Sequence, residues 1–230
     1  SEIIYNLNSN NLEYPVKNTN KEFESLIRLS AYNVLYNGFD DSYRLDFLKN
    51  TLRALDSDIF AFSECSETST QTVENILNET LPLDIGNSWE VIKKENDDLI
   101  LASRFPIIED WPNNSTGIKS MHPCLIDLPD DIYATDLLVI NAHMSCCSKD
   151  SLRQIQADDF VHFILDAKSP GGEIDLDEGT PFVLCGDLNL VGFSQQLNTI
   201  LTGDIINNDI YGPSGGMNWS NNNLKDEICW

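Results

Sequence analysis

The sequence predicts an α/β sandwich, with two sheets packed face to face and helices on their outer sides. Three observations point there. Over residues 26–81, short apolar runs alternate with segments of helical period. Residues 89–142 then carry strand-like runs punctuated by Pro106, Pro112, Pro123 and Pro129. A long helical period and a further apolar run follow. Strands this numerous, with helices set between them, bury their apolar faces best as stacked layers.

Residues 1–25 open with a polar, Asn-rich stretch and form a tail or edge segment, and residues 26–230 form the domain. Leu26–Asn33 reads as a strand. Leu45, Leu48, Leu52 and Leu55 are spaced along one helix face, which predicts a helix over 42–55 with Ser42 as its N-cap. Residues 58–63 (DIFAFS) are a strand. Thr70–Leu81 is a helix with Val73, Ile76 and Leu77 on one side. Strands are expected at 89–92, 99–102, 121–128 and 137–142. A long helix over 149–167 has Leu152, Ile155, Phe160, Phe163 and Ile164 as its apolar side, and Ser169-Pro170-Gly171-Gly172 stops it. An acidic loop spans 175–179, a strand 181–185 and a short helix 193–201. The remaining residues, rich in Gly and Asn, lack a period.

Composition narrows the partners. Thirty-seven acidic side chains against 14 basic ones give a formal net charge of −23, and beyond Lys168 the one basic residue is Lys225. Nucleic-acid binders draw most of their affinity from Lys and Arg on phosphates, so duplex nucleic acid is disfavoured as a partner. Strong acidity with few lysines suits a secreted or periplasmic protein. No apolar run approaches the roughly 18 residues of a membrane span, and no basic start leads into an apolar stretch as in a signal peptide. Six cysteines are too few for a disulfide scaffold.

Four apolar runs end in a polar residue suited to catalysis: Asn33, Glu64, His143 and Asp187, with Asn189 two positions on. Strand ends open into loops, and loops on a rigid scaffold carry sites. Carboxylates with Asn and His are what metal-assisted attack on a phosphate ester requires. Glu64 would hold a hard cation, Mg²⁺ or Mn²⁺, with Ca²⁺ a further candidate. His143 and Asn189 would donate to the developing charge, and Asp187 would orient or deprotonate water or share the metal. Taken singly, Asn33 reads as a turn former and Gly186-Asp187-Leu188-Asn189 as a simple turn. The ordered set points to a site. Cys65 follows Glu64, and Cys146 and Cys147 follow His143 closely. Free thiols and a bridge from Cys65 to one of that pair are both open.

The order Asn33, Glu64, His143, then Gly186-Asp187-Leu188-Asn189, resembles the endonuclease/exonuclease/phosphatase superfamily. Leu101–Ile107 (LASRFPI) and Arg153 with Gln156 are further points of similarity, as is the stretch from Asn141 through Gly203, which is similar to a bacterial secreted branch. The resemblance implies a four-layer α/β/β/α sandwich and divalent-metal-dependent hydrolysis of phosphate esters. It places Asn33, Glu64 and Asp187 at the metal, His143 at the phosphate, and Asp187 with Asn189 at the attacking water. The family closes its site with an Asp-His pair, and no such dipeptide occurs here. A domain incomplete at its C-terminus is therefore expected, with weak or no activity, and with self-association or a companion segment at the exposed sheet edge. The alternatives are a non-catalytic binding module and a nuclease of the same fold.

Overall fold

Among the described residues, eight strands fall into two mixed four-stranded sheets. The computed structural model describes residues 21, 23, 25–95, 97–112, 121–172 and 174–212. The segment expected over 1–25 thus lies almost wholly outside the described residues, as does everything beyond 212. The first sheet has the order β1 (Leu29–Asn33), β2 (Ile59–Ser63), β4 (Ile100–Ser103), β3 (Glu90–Lys93). There β1 and β2 are parallel and the other pairings antiparallel. The second sheet runs β5 (Ile107–Asp110), β6 (Met121–Ile126), β7 (Leu137–His143), β8 (Phe182–Asp187), with only β7 and β8 parallel.

Three apolar clusters correspond to the three interfaces of an α/β/β/α sandwich. On the first sheet, Phe60, Phe62, Ile100 and Ala102 meet Leu48 and Leu52 of α1 (Leu45–Leu55) and Val73, Ile76 and Leu77 of α2 (Thr70–Thr80). On the second, Leu138, Ile140 and Phe182 meet Ala157, Phe160, Val161 and Ile164 of α3 (Asp150–Ala167). Between the sheets, Ile59, Ala61 and Leu101 face Cys124, Ile126 and Val139. Alternate residues of each strand thus enter alternate layers, as the pleat requires. Two short helices, α4 (Gln195–Thr202) and α5 (Asn208–Tyr211), lie against α3.

Some elements differ from what the sequence predicts. Ser42 does not cap α1: Arg44 precedes the helix and no side chain caps it. Ser69 does cap α2, accepting the Thr72 N–H at 3.0 Å. Strand β5 had no clear sequence signature, because its four residues are half exposed and a bulge breaks the register between Ile107 and Glu109. Helix α3 follows the expected apolar stripe in part: Phe160, Phe163 and Ile164 are buried and Ile155 is half-buried. Leu152 is exposed, whereas Arg153, Gln154, Gln156, Asp158 and Asp159 are buried. Most of these polar groups are tied to loops: Asp158, for example, accepts the Ile206 and Asn207 N–H groups at 3.0 and 2.9 Å.

In the second sheet Gly186 of β8 is paired with Ala142 of β7. Gly186 has φ +126°, and a Cβ there would stand 1.9 Å from the Ala142 carbonyl oxygen. Only glycine fits. Gly186→Ala should destabilise the fold by about 2–6 kcal/mol through backbone strain and overlap combined. Urea unfolding measures this, and a loss below about 1 kcal/mol, the size of an average substitution, would contradict it.

Candidate functional site

The layer between the sheets is apolar along most of its length and turns polar at one end. The alternation that sends Leu137 and Val139 inward also sends Asn141 and His143 inward, and in β8 it carries Val183, Cys185 and then Asp187 to the same side. Asn33 ends β1 in register with Ser63, and His143 ends β7 in register with Asp187. Glu64 follows directly on β2. The strand ends of both sheets therefore deliver Asn33, Glu64, His143 and Asp187 to one rim.

There the Asn33 amide joins the two carboxylates. Its Nδ2 donates to Glu64 Oε1 at 2.8 Å and to Asp187 Oδ2 at 3.1 Å. Its Oδ1 accepts the Leu35 N–H at 2.9 Å, so the nitrogen, not the oxygen, faces the acids. Glu64 Oε2 accepts the Tyr36 N–H at 2.9 Å. Asp187 Oδ1 accepts the Asn189 N–H at 3.1 Å, and Asn189 Nδ2 donates to the Met144 carbonyl at 2.8 Å. Among the described residues, neither Glu64 nor Asp187 forms an ion pair with Lys or Arg. Two carboxylates held together without a compensating base are an oxygen donor set that fits a hard divalent cation, which takes one or two carboxylates and keeps its waters.

His143 is paired with Asp98, a residue the sequence reading did not single out. Its Nδ1 lies 2.7 Å from Asp98 Oδ2. The hydrogen bond to Asp98 is the main reason the imidazole is held above its ordinary value of 6.5; burial opposes the shift, and the charges of Asp98, Asp187 and Glu64 add to it. For Asp98 burial works against ionisation, but the hydrogen bond and charge of His143 outweigh it and hold the carboxyl below its ordinary value of 3.8.

The endonuclease/exonuclease/phosphatase family model matches residues 30–225. This chain belongs to that family. Its members are hydrolases acting on phosphate esters, and they depend on a divalent metal, typically Mg²⁺. The comparison with curated proteins finds no match. Among solved structures, SmcL is similar at 17% identity and a TM-score of 0.52, over 76% of this chain and 69% of that one. A β-hairpin deletion mutant of beta toxin from Staphylococcus aureus is similar at 13% identity and a TM-score of 0.53, over 78% and 73% of the two chains. TDP2 of D. rerio, complexed with single strand DNA product, is similar at 15% identity and a TM-score of 0.51, over 75% and 64%. At such identities the likeness is one of fold.

In this family member each loop of the site is held by one basic side chain. Arg44 donates to the carbonyls of Val34 and Leu35 at 3.1 and 2.7 Å. Lys93 Nζ donates to those of Cys65, Ser66 and Thr68 at 2.8, 2.7 and 2.8 Å. Arg153, fully buried, donates to those of Ser145 and Cys147 at 2.7 and 2.9 Å and to Val191 at 3.2 Å. Gln156 Oε1 accepts the Ser145 N–H at 2.9 Å. Arg153 and Gln156 thus position the loops that carry His143 and Asn189. Left-handed backbone at Leu35, Tyr36, Asn37, Glu64, Cys147 and Asn189 is concentrated in the loops these residues hold.

Arg104 and the other two histidines lie elsewhere. Arg104 is at the far end of β4, paired with Asp56 at 2.7 Å. His122 is buried against Asp110 at 2.7 Å, and His162 lies on α3 beside Tyr211. The acidic loop lines a cavity of about 410 Å³ near Leu125, away from the site. Cys65 is buried and free, so no bridge joins it to Cys146 or Cys147.

The His143–Asp98 pair has a pH signature. A raised histidine stabilises the fold below its unfolded pKa and loses that contribution as pH rises through its folded pKa. A depressed carboxyl contributes above its unfolded pKa and loses it as pH falls through its folded pKa. The pair therefore contributes most between ordinary carboxyl and histidine titration. In metal-free protein, NMR titration should place His143 above 6.5, and Asp98→Asn should lower it. An unchanged His143 pKa in the variant would contradict the pairing.

Proposed function

We propose that this chain hydrolyses phosphate esters, diesters or monoesters, by in-line attack of water at the rim shared by the two sheets. The observation that carries the reading is the Glu64–Asn33–Asp187 arrangement beside the His143–Asp98 pair. Glu64 and Asp187 would hold the divalent cation, Mg²⁺ or Mn²⁺, with Asn33 keeping the two carboxylates together. A cation there would polarise a phosphoryl oxygen and offset the charge that develops on it. His143, its proton on Nδ1 secured by Asp98, presents Nε2 as the group that titrates and donates to a phosphoryl oxygen. Asn189 carries two amide protons, so holding the Met144 carbonyl leaves one for the same oxygen. Asp187 orients the water and accepts its proton.

The substrate we propose is small or lipid-like, not long duplex DNA. A net charge of −23 supports this, as do the exposed side chains of Tyr36 and Val191 in the loops after Asn33 and Asn189. A nuclease of this fold would need a cationic track that the chain's 14 basic residues scarcely supply. One observation favours a second reading, that of a catalytically incomplete binding module. Of three histidines in the sequence, only His143 reaches the site.

Calorimetric titration with Mg²⁺ or Mn²⁺ tests the metal site. Glu64→Gln keeps the shape and removes the charge, and should weaken binding at least about tenfold. Equal affinity in both proteins would contradict the assignment. Turnover of an aryl phosphodiester against plasmid DNA at fixed salt tests the substrate class: faster plasmid nicking would overturn it, and metal binding without any turnover would favour the binding module.

A further inference from the structure

Three and four residues beyond His143, Cys146 and Cys147 lie side by side on the surface, and the proposed chemistry uses neither. Both are exposed and free. Their Sγ atoms face each other at 2.7 Å, with one thiol donating to the other. Cys147 has φ +62°, in the left-handed region. The other described cysteines differ in kind: Cys65 and Cys124 are buried and Cys185 is half-buried. Burial pushes the thiols of Cys65 and Cys185 up to about 12, where they stay protonated and unreactive.

The segment bearing the pair is tied to the site on three sides. Asn189 holds the Met144 carbonyl at 2.8 Å, Gln156 holds the Ser145 N–H at 2.9 Å, and Arg153 holds the carbonyls of Ser145 and Cys147 at 2.7 and 2.9 Å. Arg153 also reaches the Val191 carbonyl, so the loops after His143 and Asn189 share one clamp.

We propose that Cys146 and Cys147 form a redox-active dithiol, which small disulfides of the glutathione class convert reversibly into an intramolecular disulfide, and that closing this ring loosens the loop from His143 to Cys147. The hydrogen bond to Cys146 holds the Cys147 thiol above its ordinary value. The Cys146 thiolate attacks one sulfur of the small disulfide, whose S–S bond breaks and releases one small thiol. The Cys147 sulfur, giving up its proton, then attacks the Cys146 sulfur of the mixed disulfide and expels the second small thiol. Two protein thiols are oxidised by two electrons, the small disulfide is reduced by two, and the two protons end on the two small thiols.

Closure acts on the loop because adjacent Cα atoms are only about 3.8 Å apart across a trans peptide, short of the roughly 4.4–6.8 Å of ordinary disulfides. The ring forms only if the backbone torsions inside it change, ψ of Cys146, ω and φ of Cys147, and a change in φ of Cys147 swings its carbonyl off Arg153. The same misfit makes the bond easily reduced, hence reversible.

The test uses the whole, metal-free chain in glutathione redox buffers, followed by alkylation, peptide mapping and amide hydrogen exchange. Wild type should yield a species two hydrogens lighter, mapping to Cys146 and Cys147 and reversed by dithiothreitol, with faster exchange over residues 143–147. Cys147→Ser should stop at a single glutathione adduct on Cys146 and show no such species. Glutathione on both cysteines without an internal bond, or no modification, would overturn the dithiol. A disulfide with unchanged exchange over 143–147 would overturn its coupling to the loop. No readout requires turnover, so failure here and failure of the phosphoesterase reading are distinguishable.

Discussion

One side-chain amide holds the acids of the site together across the sandwich. Glu64 comes from the end of the first sheet and Asp187 from the end of the second, and Asn33 donates to both. Without it two carboxylates would face each other at the mouth of an apolar interior, where like charges repel strongly. Hydrogen bonds to ionised acceptors are the strong kind, and two of them converge on one nitrogen. Two further contacts cross the same gap: His143 to Asp98, and Asn141, whose Nδ2 donates to the Phe62 and Ile100 carbonyls at 2.9 and 3.0 Å. The sheets are thus joined by apolar packing along most of their length and by polar contacts at the end that carries the chemistry. Local excess negative charge remains there, and it is this charge that a hard cation would neutralise.

The loops that present these residues are irregular, with left-handed residues that L side chains adopt at a cost of order 1–3 kcal/mol each. Arg44, Lys93 and Arg153 offset that cost by gathering main-chain carbonyls, two or three to each cation. A chain with 37 acidic groups and 14 basic ones thus commits three of the latter to the backbone of its site. Buried carbonyls need partners, and one ammonium or guanidinium supplies several donors at once. The clamp by Arg153 also explains why α3 buries an arginine beside its apolar residues.

Much of this was legible in the sequence. Strand ends at Asn33, Glu64, His143 and Asp187 stand out because an apolar run stops on a polar residue, and that signal survives folding: the structure brings all four together. Asp98 escaped it for a geometric reason. It precedes β4, and because β4 runs antiparallel to β2, the start of one lies beside the end of the other; the Cys65 N–H donates to the Asp98 carbonyl at 2.9 Å. A search of strand ends alone misses residues at strand starts. Strand β5 and helix α5 span four residues each, too short for a period to show. The roles of Arg44 and Lys93 were equally hidden, since a cation that binds carbonyls has no partner visible in sequence.

Glu64 and Asp187, one from each sheet, should form a single cation site. Crystals grown with Mn²⁺ and measured near the manganese absorption edge test it directly. An anomalous peak should appear bound to the Glu64 carboxylate, facing Asp187, and be lost in Glu64→Gln. A peak bound elsewhere, or none at this rim in wild-type crystals with saturating Mn²⁺, would contradict it.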